Sequence, residues 1–331
     1  MLNFRVYNIE VAIKKISSSS AQKFHSASRH GTFFSRPEIL ERIFDSVDWW
    51  GYFQGSEIAC AWPIALDHDK IPIKNYYFSY YIGPMWAFEL PEYPMHKSSS
   101  LTNKVYNSFL DIFAQNYSEI TYAFPTGLND IRPFIWRNQN NHKERHDIEI
   151  KYTAKIDLTS VDLILSDYRQ VRRWELKNSI LTDLEFIYDD FEIADILKFY
   201  SENIPLDNLQ RQPIEINQIL YKYLSLETSL GLRSIKVHEN SSGQTVAFVL
   251  LGIHEGVVNI IINNVSKKYK QNKSYLTTYL NHLIIKKFLE EGNISIDFNG
   301  ANSPVLADNK HSFGARAFSY FKINSNFRFT Q

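Results

Sequence analysis

Apolar residues recur along this chain at two spacings, and each spacing predicts one kind of element. Short apolar runs between turn residues predict strands at 49–53, 57–66, 76–82 and 120–124, and again at 184–188, 234–239, 244–254 and 257–265. Apolar positions three and four residues apart predict two long helices, 98–115 and 270–290. Both halves of the chain therefore show helices, three antiparallel strands, a long helix and a further strand.

Shorter helices are predicted before and between these strands, at 21–29, from Pro37, and at 161–179, 191–202 and 214–230. The Gly55-Ser56 turn joins two of the strands as a hairpin. The repeated element order predicts an α+β protein with two domains, residues 1–150 and 151–331. Because 331 residues are enough for two domains of ordinary size, each can bury its own core.

In residues 293–315 a short buried strand meets a polar segment. The strand ends at Asp297, and a loop is predicted after it, flanked by Gly300 and Gly314. Glycine adopts backbone angles that are closed to other residues, so such a loop can bring peptide N–H groups close to a ligand. Lys310 is the one fixed positive charge between the two glycines. The alternative is that Asp297 and its neighbours cap a turn and Lys310 faces water.

Two groups of short motifs resemble a known family. The first group is Asp-Phe-Asn-Gly-Ala-Asn-Ser-Pro at 297–304, Asn-Lys-His-Ser-Phe-Gly-Ala at 309–315, and Tyr320 in the aromatic strand that follows. The second is Tyr-Arg-Gln-Val-Arg-Arg at 168–173, Lys-Asn-Ser at 177–179 and Tyr-Thr-Ala-Lys-Ile-Asp-Leu at 152–158. Together they resemble the FemAB/FemX-like transferases.

The resemblance implies two tandem GNAT-like domains, each with a mixed, mostly antiparallel sheet flanked by helices, the second domain carrying the donor site. It also implies an amide-forming acyl- or aminoacyltransferase. The expected acceptor is an amino-sugar or peptide precursor of the cell envelope, as in polysaccharide or peptidoglycan biosynthesis. A nucleotide-sugar or a peptide is therefore the expected acceptor partner.

The turn before the long helix departs from the GNAT pattern, and this departure bears on the donor. In that fold the helix N-terminus binds a pyrophosphate through free backbone N–H groups. Here residues 267–274 contain no glycine but four lysines, among them Lys270 and Lys273 as candidate donor-binding residues. The missing glycine disfavours acetyl-CoA and agrees with FemAB-like proteins, whose donors resemble aminoacyl-tRNA more than CoA. A solvated lysine face is the alternative.

No tightly bound cofactor is expected, only an activated acyl donor as co-substrate: an acyl-CoA, an acyl carrier or an aminoacyl-tRNA. Some family members that use charged tRNA carry a long helical arm in the second domain. The short connection 203–213 leaves no room for that arm. A charged tRNA therefore stays among the candidate partners but is disfavoured.

Three residues are candidates for the chemistry of amide formation. Lys310 is expected to stabilise the developing oxyanion or a donor phosphate, and the resemblance supports this residue best. Asp297 or Tyr320 is expected to accept or relay the proton of the attacking amine. Placement matters more than a nucleophile, because orientation contributes about 7–11 kcal/mol and one oxyanion donor about 2.7–4 kcal/mol.

A cluster of basic residues is the second candidate site. Arg169, Arg172, Arg173 and Lys177 are spaced so that one helical face presents four positive charges. Guanidinium groups at this spacing suit the phosphates of a nucleotide-sugar, a lipid-linked acceptor or a tRNA end, and a solvated face is the open alternative. The substrate- or donor-binding set is completed by Asn299, Gly300 and Ser312.

Charge and cysteine content restrict the partners. Lys plus Arg and Asp plus Glu are both 36, so no net charge attracts DNA or an anionic membrane, and a phosphate-bearing partner needs a local patch. A single cysteine, Cys60, excludes an intrachain disulfide and is typical of a reducing compartment. Neither a signal peptide nor an apolar run of about 18 residues is recognised, so a cytoplasmic location without a membrane span is expected.

Other chemistries find little support. His142 and His146 lie four residues apart in a polar segment without the His-Glu-x-x-His order, so no metal site is expected. P-loop, nucleophile-elbow and dinucleotide-binding glycine patterns are not found. The alternative function is a catalytically inactive GNAT-like binding module. The aromatic residues of 76–86 either line an acceptor groove or pack in a core.

Overall fold

The computed structural model describes residues 13–88, 94–203, 213–271 and 275–327. The strands are β1 (Ile13–Lys15), β2 (Ser46–Gln54), β3 (Glu57–Leu66), β4 (Met85–Trp86), β5 (Glu119–Ala123), β6 (Arg145–Asp157), β7 (Leu184–Tyr188), β8 (Leu232–Glu239), β9 (Gln244–His254), β10 (Val257–Val265), β11 (Ser295–Asp297) and β12 (Arg316–Asn326). The helices are α1 (Ser18–Ala27), α2 (Pro37–Ile43), α3 (Met95–Asn116), α4 (Arg132–Asn140), α5 (Val161–Asp167), α6 (Gln170–Lys177), α7 (Ile193–Asn203), α8 (Pro213–Leu224), α9 (Lys267–Gln271), α10 (Leu276–Glu290) and α11 (Pro304–His311).

These elements confirm an α+β fold whose described strands form two sheets, and most of the strand pairs are antiparallel. The chain divides into two compact units. Unit 1 comprises the described residues up to Tyr76, Tyr80–Ile150 and those from Tyr320 onward, and unit 2 comprises Tyr77–Ser79 and Lys151–Ser319. A unit boundary divides β6 after Ile150 and β12 before Tyr320, so the described residues from Tyr320 onward lie in unit 1.

Unit 1 contains the sheet β1-β2-β3-β4, in which the hairpin β2–β3 turns at Gly55 as predicted. Trp62 of β3 lies at the centre of an aromatic core. Its ring centroid lies 4.8–6.0 Å from those of Tyr106, Phe109, Phe113, Tyr122 and Phe124. The first three of these rings come from α3. They lie together because the apolar residues of α3 recur at helical spacing and so form one face of the helix.

The strand predicted at 76–82 is wrong. Phe78 and Tyr81 have φ values of 59° and 55°, in the left-handed region that no extended strand contains. The shorter strand β4 pairs with β3 instead, through Met85 and Trp86. Tyr81, Met85 and Trp86 are buried in unit 1, so these aromatic-stretch residues pack in the core.

Unit 2 contains the strand order β6-β11-β10-β9-β8-β7. Its one parallel pair among the described strands is β10 with β11, and it joins Val257–Asn259 to Ser295–Asp297. After these three residues β10 continues to Val265 beside β9, with a bulge between Ile260 and Ile262. The two strands therefore separate at the point where β11 ends.

Three predicted helices differ from the structure. The helix at 161–179 is two helices, α5 and α6, because Tyr168 between them has the extended ψ of 136°. The helix at 214–230 ends at Leu224, and a 3-10 turn, Thr228–Leu230, precedes Gly231. The helix at 270–290 is interrupted, since α9 ends at Gln271 and α10 begins at Leu276.

The loop predicted after β11 is also wrong in part, because Pro304–His311 forms α11. Ser303 caps that helix with its hydroxyl oxygen, which accepts the Leu306 N–H, and proline occupies the first turn, where its missing N–H costs nothing. In the part of the chain that is described, no helix combines the length and the apolar composition that a membrane span requires.

Candidate active site

The polar group at the end of β11 is organised by a tight turn. Asn299 and Gly300 have φ values of 49° and 45°, so the backbone turns out of the extended conformation directly after the strand. It then returns to β6, where the Ala301 N–H donates to the Tyr152 carbonyl at 2.6 Å. Asp297 Oδ1 accepts a hydrogen bond from the Asn299 N–H at 2.8 Å. Aspartate closes turns in this way by bonding to the backbone two residues on. Asp297 therefore caps the turn, which we call the Asp297–Gly300 turn.

Asp297 is also held by two residues of β6. Its side chain is buried, its Oδ1 accepts from the Thr153 hydroxyl, and its Oδ2 lies 3.5 Å from Lys155 Nζ. Lys155 lies opposite Asp297 in the antiparallel register of β6 and β11. A buried carboxylate needs such partners because the removal of an unpaired charge from water costs several kcal/mol. Thr153 and Lys155 belong to the motif at 152–158, but the sequence does not show that they meet Asp297, because only the strand register brings them there.

Lys310 lies beneath the same turn. It belongs to the last turn of α11, and its ammonium donates to the carbonyl oxygens of Phe298 at 3.0 Å, Gly300 at 2.7 Å and Asn299. Burial lowers the pKa of Lys310 to about 8, and the negative charge of Asp297 partly opposes this shift. The alternative in which Lys310 faces water is therefore wrong. The lysine joins the end of α11 to the turn.

Asn299 bridges the gap between the separating strands. Its side-chain Nδ2 donates to the Ile260 carbonyl of β10 at 2.9 Å. Its Oδ1 is buried and has no hydrogen-bond partner among the described residues. An unpaired buried acceptor costs about 1–3 kcal/mol, so this oxygen is a candidate for a ligand N–H.

The four basic residues lie on α6 and its N-cap, Arg169, but they do not act as the single positive face that the spacing predicts, because the arginines have different partners. Arg169 forms a two-pronged ion pair with Asp308 of α11, at 2.6 and 3.0 Å, which lowers the pKa of that carboxyl. Arg173 donates to the Ser166 carbonyl at 3.1 Å, and Lys177 is exposed at the end of α6. The charges are directed to different neighbours.

Arg172 points inward and connects three elements. Its Nε donates to the Ser312 hydroxyl at 2.7 Å, and its Nη1 donates to Glu175 Oε2 at 2.6 Å and to Thr278 Oγ1 at 3.1 Å. The guanidinium also lies 5.3 Å from the ring centroid of Phe313. We call this group the Arg172 cluster. It joins α6 to the first turn of α10 and to the segment after α11, and it includes the predicted site residue Ser312.

The predicted lysine-rich turn is only partly described. Lys270 lies on α9 and its ammonium donates to Asn264 Oδ1 at 3.1 Å. Lys273 lies outside the described residues. Tyr275 precedes α10 with a φ of 55°, and its ring contacts that of Trp174 at a centroid distance of 5.5 Å.

Tyr320 lies in unit 1, on the part of β12 after the boundary. Its ring is buried and contacts the Tyr81 ring edge-to-face, at a centroid distance of 5.1 Å. His146 is likewise buried in unit 1, and its Nδ1 lies 2.8 Å from Ser325 Oγ. Among the described residues, no group of histidine, cysteine and acidic side chains has the arrangement of a metal site.

Comparison with solved structures identifies the fold. FemX matches with a TM-score of 0.62 over 94% of this chain and 96% of that chain, at 10% identity. A tandem GNAT protein from the clavulanic acid biosynthesis pathway matches with a TM-score of 0.53 at 10% identity, over 96% and 98% of the two chains. L-PGS from Bacillus licheniformis matches with a TM-score of 0.53 at 12% identity, over 95% and 93%.

No protein-family model matches this sequence, and no curated protein matches it. The structural likeness nevertheless extends over nearly the whole of each chain. It agrees with the motifs around Asp297, Lys310 and Arg172 that resemble FemAB/FemX-like transferases. The chain therefore has the FemX-like tandem GNAT fold.

Proposed function

We propose that this protein is an acyl- or aminoacyltransferase that forms an amide on an amino-sugar or peptide precursor of the cell envelope. The observation that carries the proposal is the full-length tandem GNAT-like fold, with a TM-score of 0.62 to FemX. The Asp297–Gly300 turn supports it. A carboxylate, a lysine with a lowered pKa and an unpaired acceptor lie together where β10 and β11 separate.

The reaction needs an activated acyl donor and a free amine. The amine nitrogen attacks the carbonyl carbon of an ester or thioester, so a C–N bond forms and the carbonyl oxygen becomes an oxyanion. The C–O or C–S bond then breaks, and the alcohol or thiol leaves with a proton while the amine loses one. Orientation of the two substrates supplies most of the acceleration, as in other reactions of two bound reactants.

Lys310, Asp297 and Tyr320 have the catalytic roles in this proposal. Lys310 stabilises the oxyanion or a donor phosphate, and to reach either it exchanges one of its bonds to the turn carbonyls for a bond to substrate. Asp297 or Tyr320 accepts the amine proton. Lys155 supports Asp297 as a positioning residue, because it lies 3.5 Å from that carboxylate.

Substrate binding involves the second group of residues. Asn299 and Gly300 form the turn, and Arg169, Arg172, Arg173, Lys177 and Ser312, with Lys270 and Lys273, form the donor- or phosphate-binding set. The donor is an acyl-CoA, an acyl carrier or an aminoacyl-tRNA, and the acceptor is a nucleotide-sugar or peptide. The proposal includes a cytoplasmic location, which the single buried cysteine, Cys60, supports.

The direct test is an assay of amide formation. Purified protein is mixed with a donor, either acyl-CoA or charged tRNA, and with an acceptor, either a nucleotide-linked amino sugar or an amine-bearing peptidoglycan-type peptide. The amide product is detected by mass spectrometry. We expect Lys310→Ala and Asp297→Asn to lower the rate at least about 100-fold, the size of one lost oxyanion donor. Lys286→Ala, which removes an exposed lysine of α10, serves as control and should not change the rate.

One observation favours the alternative, a catalytically inactive binding module. The ammonium of Lys310 already donates to three carbonyls, and both oxygens of Asp297 have partners within the protein. In a module these contacts only hold the turn. A donor or acceptor that raises the melting temperature without any amide product would support the module, and product formation by wild type but not Lys310→Ala would reject it.

A further inference from the structure

A pocket of about 110 Å³ lies in unit 2, between α5, the end of β6 and the beginning of β12. It is separate from the Asp297–Gly300 turn. In the register of β6 with β11, Asp157 pairs with Ser295, at the beginning of β11, whereas the turn follows the end of that strand. Lys155 is the residue common to the pocket and the candidate site. The side chains used in the argument below are Lys155, Asp157, Leu163, Asp167, Arg316 and Phe318.

The pocket contains two positive and two negative side chains. Lys155 is already engaged with Asp297. Arg316, Asp157 and Asp167 are exposed, and within the described residues none of them forms an ion pair or a side-chain hydrogen bond. Because Arg316 does not pair with either aspartate, its guanidinium can still donate to a ligand and the two carboxylates can still accept from one. A ligand that carries both charges can fill the two positions together.

Apolar groups form the remaining walls. The Phe318 ring is 42% exposed and Leu163 is 61% exposed, although both lie against the pocket. Lys155 Nζ lies 5.6 Å from the Phe318 ring centroid, so the lysine and the ring are neighbours at the pocket wall. The volume is below the roughly 300–1,000 Å³ of pockets for drug-sized ligands, so the occupant is small.

Gly314 brings Asp167 to the pocket. The glycine has a φ of 79°, and a Cβ at this position would lie 2.7 Å from the Cβ of Asp167. Any larger residue would therefore push the aspartate away from the backbone. The glycine of the 309–315 motif thus has a local physical reason in addition to the resemblance.

We propose that this pocket binds a small zwitterion, an α-amino acid. Its carboxylate bonds to the Arg316 guanidinium, its ammonium lies between Asp157 and Asp167, and its side chain packs on Phe318. This inference goes beyond the proposed function and does not depend on it, because binding here requires neither donor nor acceptor of the transfer reaction.

The test is saturation-transfer NMR of the full chain with glycine, alanine and serine as probes. Acetate and methylammonium, which carry only one of the two charges, are the comparison ligands. Two variants remove the proposed contacts: Arg316→Gln, and the double change Asp157→Asn with Asp167→Asn. Arg145→Gln is the matched control, since Arg145 is an exposed arginine of β6 outside the pocket.

We expect saturable binding of at least one amino acid, weakened about tenfold or more by either pocket variant and unchanged by Arg145→Gln, because each pocket variant removes a charge-assisted hydrogen bond to the ligand. Each half-ligand should bind about tenfold more weakly than the amino acid. No saturable binding, or equal binding by the Arg316→Gln protein, would overturn the proposal. Acetate that binds as tightly as glycine would show an anion site and overturn it as well.

Discussion

At the scale of single residues, the Lys310 side chain links a helix to the turn that contains the candidate chemistry. Its three carbonyl partners belong to consecutive residues, 298–300, so one ammonium fixes the backbone of the whole turn. Asp297 fixes the same turn from the other side, through the Asn299 N–H. The two residues therefore have a structural role whether or not they also act on a substrate.

The lowered pKa of Lys310 leads to a prediction about activity. The amine is charged below pH about 8 and neutral above it. If the charge stabilises an oxyanion, the rate of amide formation should fall as the pH rises through 8. Lys310→Arg keeps its charge at every accessible pH, so any activity of this variant should not show that fall. A wild-type rate that stays level from pH 7 to 9.5 would contradict the role.

A second prediction concerns stability. Lys310→Met removes the ammonium and leaves the turn carbonyls without their donor, so we expect the free energy of unfolding to fall by about 2–3 kcal/mol in urea titrations. Folding lowers the pKa from 10.5 to about 8, so the unfolded chain binds more protons between these values. The difference in the free energy of unfolding between wild type and Lys310→Met should therefore increase from pH 8 to 10.

The matched control for this prediction is Lys286→Met, an exposed lysine of α10. Exposed substitutions of this kind usually change the free energy of unfolding by less than about 0.5 kcal/mol. If both variants lose the same stability, the bonds of Lys310 to the turn contribute nothing measurable.

At the scale of elements, the segment from α11 to β12 is attached at several points. Arg169 pairs with Asp308 of α11, and the Arg172 cluster holds Ser312 after the helix. Gly314 then allows the chain to pass against Asp167 of α5. Several residues of the sequence motif 309–315 therefore contribute to the close packing between α5, α6 and α11.

Gly314→Ala tests this packing. Both the left-handed φ of 79° and the 2.7 Å approach to Asp167 oppose a methyl group, so we expect a loss of about 3 kcal/mol or more in the free energy of unfolding. Gly55→Ala is the control, because Gly55 has a φ of 64° but open space around its Cβ position. It should lose only about 1–2 kcal/mol. Equal losses would show that the contact with Asp167 is not strained.

At the scale of the whole molecule, the described part of the chain begins and ends in unit 1. The part of β12 from Tyr320 onward belongs to unit 1, where Lys322–Asn326 pairs with β5. Ile323 and Phe327 contribute to the aromatic core around Trp62. Unit 1 is therefore completed only when the last strand has been added.

Ile323→Ala tests this dependence. Replacement of a buried isoleucine by alanine typically lowers the free energy of unfolding by about 2–5 kcal/mol. Here unit 1 should be the unit that is destabilised. Hydrogen exchange should become faster in β5, with little change in β9 of unit 2. Lys322→Ala, one residue earlier on a partly exposed side chain, should leave exchange in β5 unchanged. Faster exchange in β9 but not in β5 would contradict the assignment of β12 to unit 1.

The sequence by itself determined the elements whose pattern is local. The spacing of apolar residues predicts α3, and alternation with turn residues predicts the β2–β3 hairpin and the strands β8, β9 and β10. The motifs at 297–304 and 309–315 resembled the FemAB/FemX-like fold, which the comparison with FemX confirms. Local backbone preferences and periodicity are enough for these inferences, because each depends on neighbours within about one element.

Only the tertiary structure decided what the polar residues do. Four features depend on partners that are distant in the chain. They are the left-handed backbone angles of Phe78 and Tyr81, the helix break at Tyr168, the register that places Lys155 opposite Asp297, and the pairing of β12 with β5. Lys310 points at backbone carbonyls and Arg172 points inward for the same reason. Burial and pairing of charge are settled by packing between elements, whose free energies exceed the local preferences that a sequence pattern records.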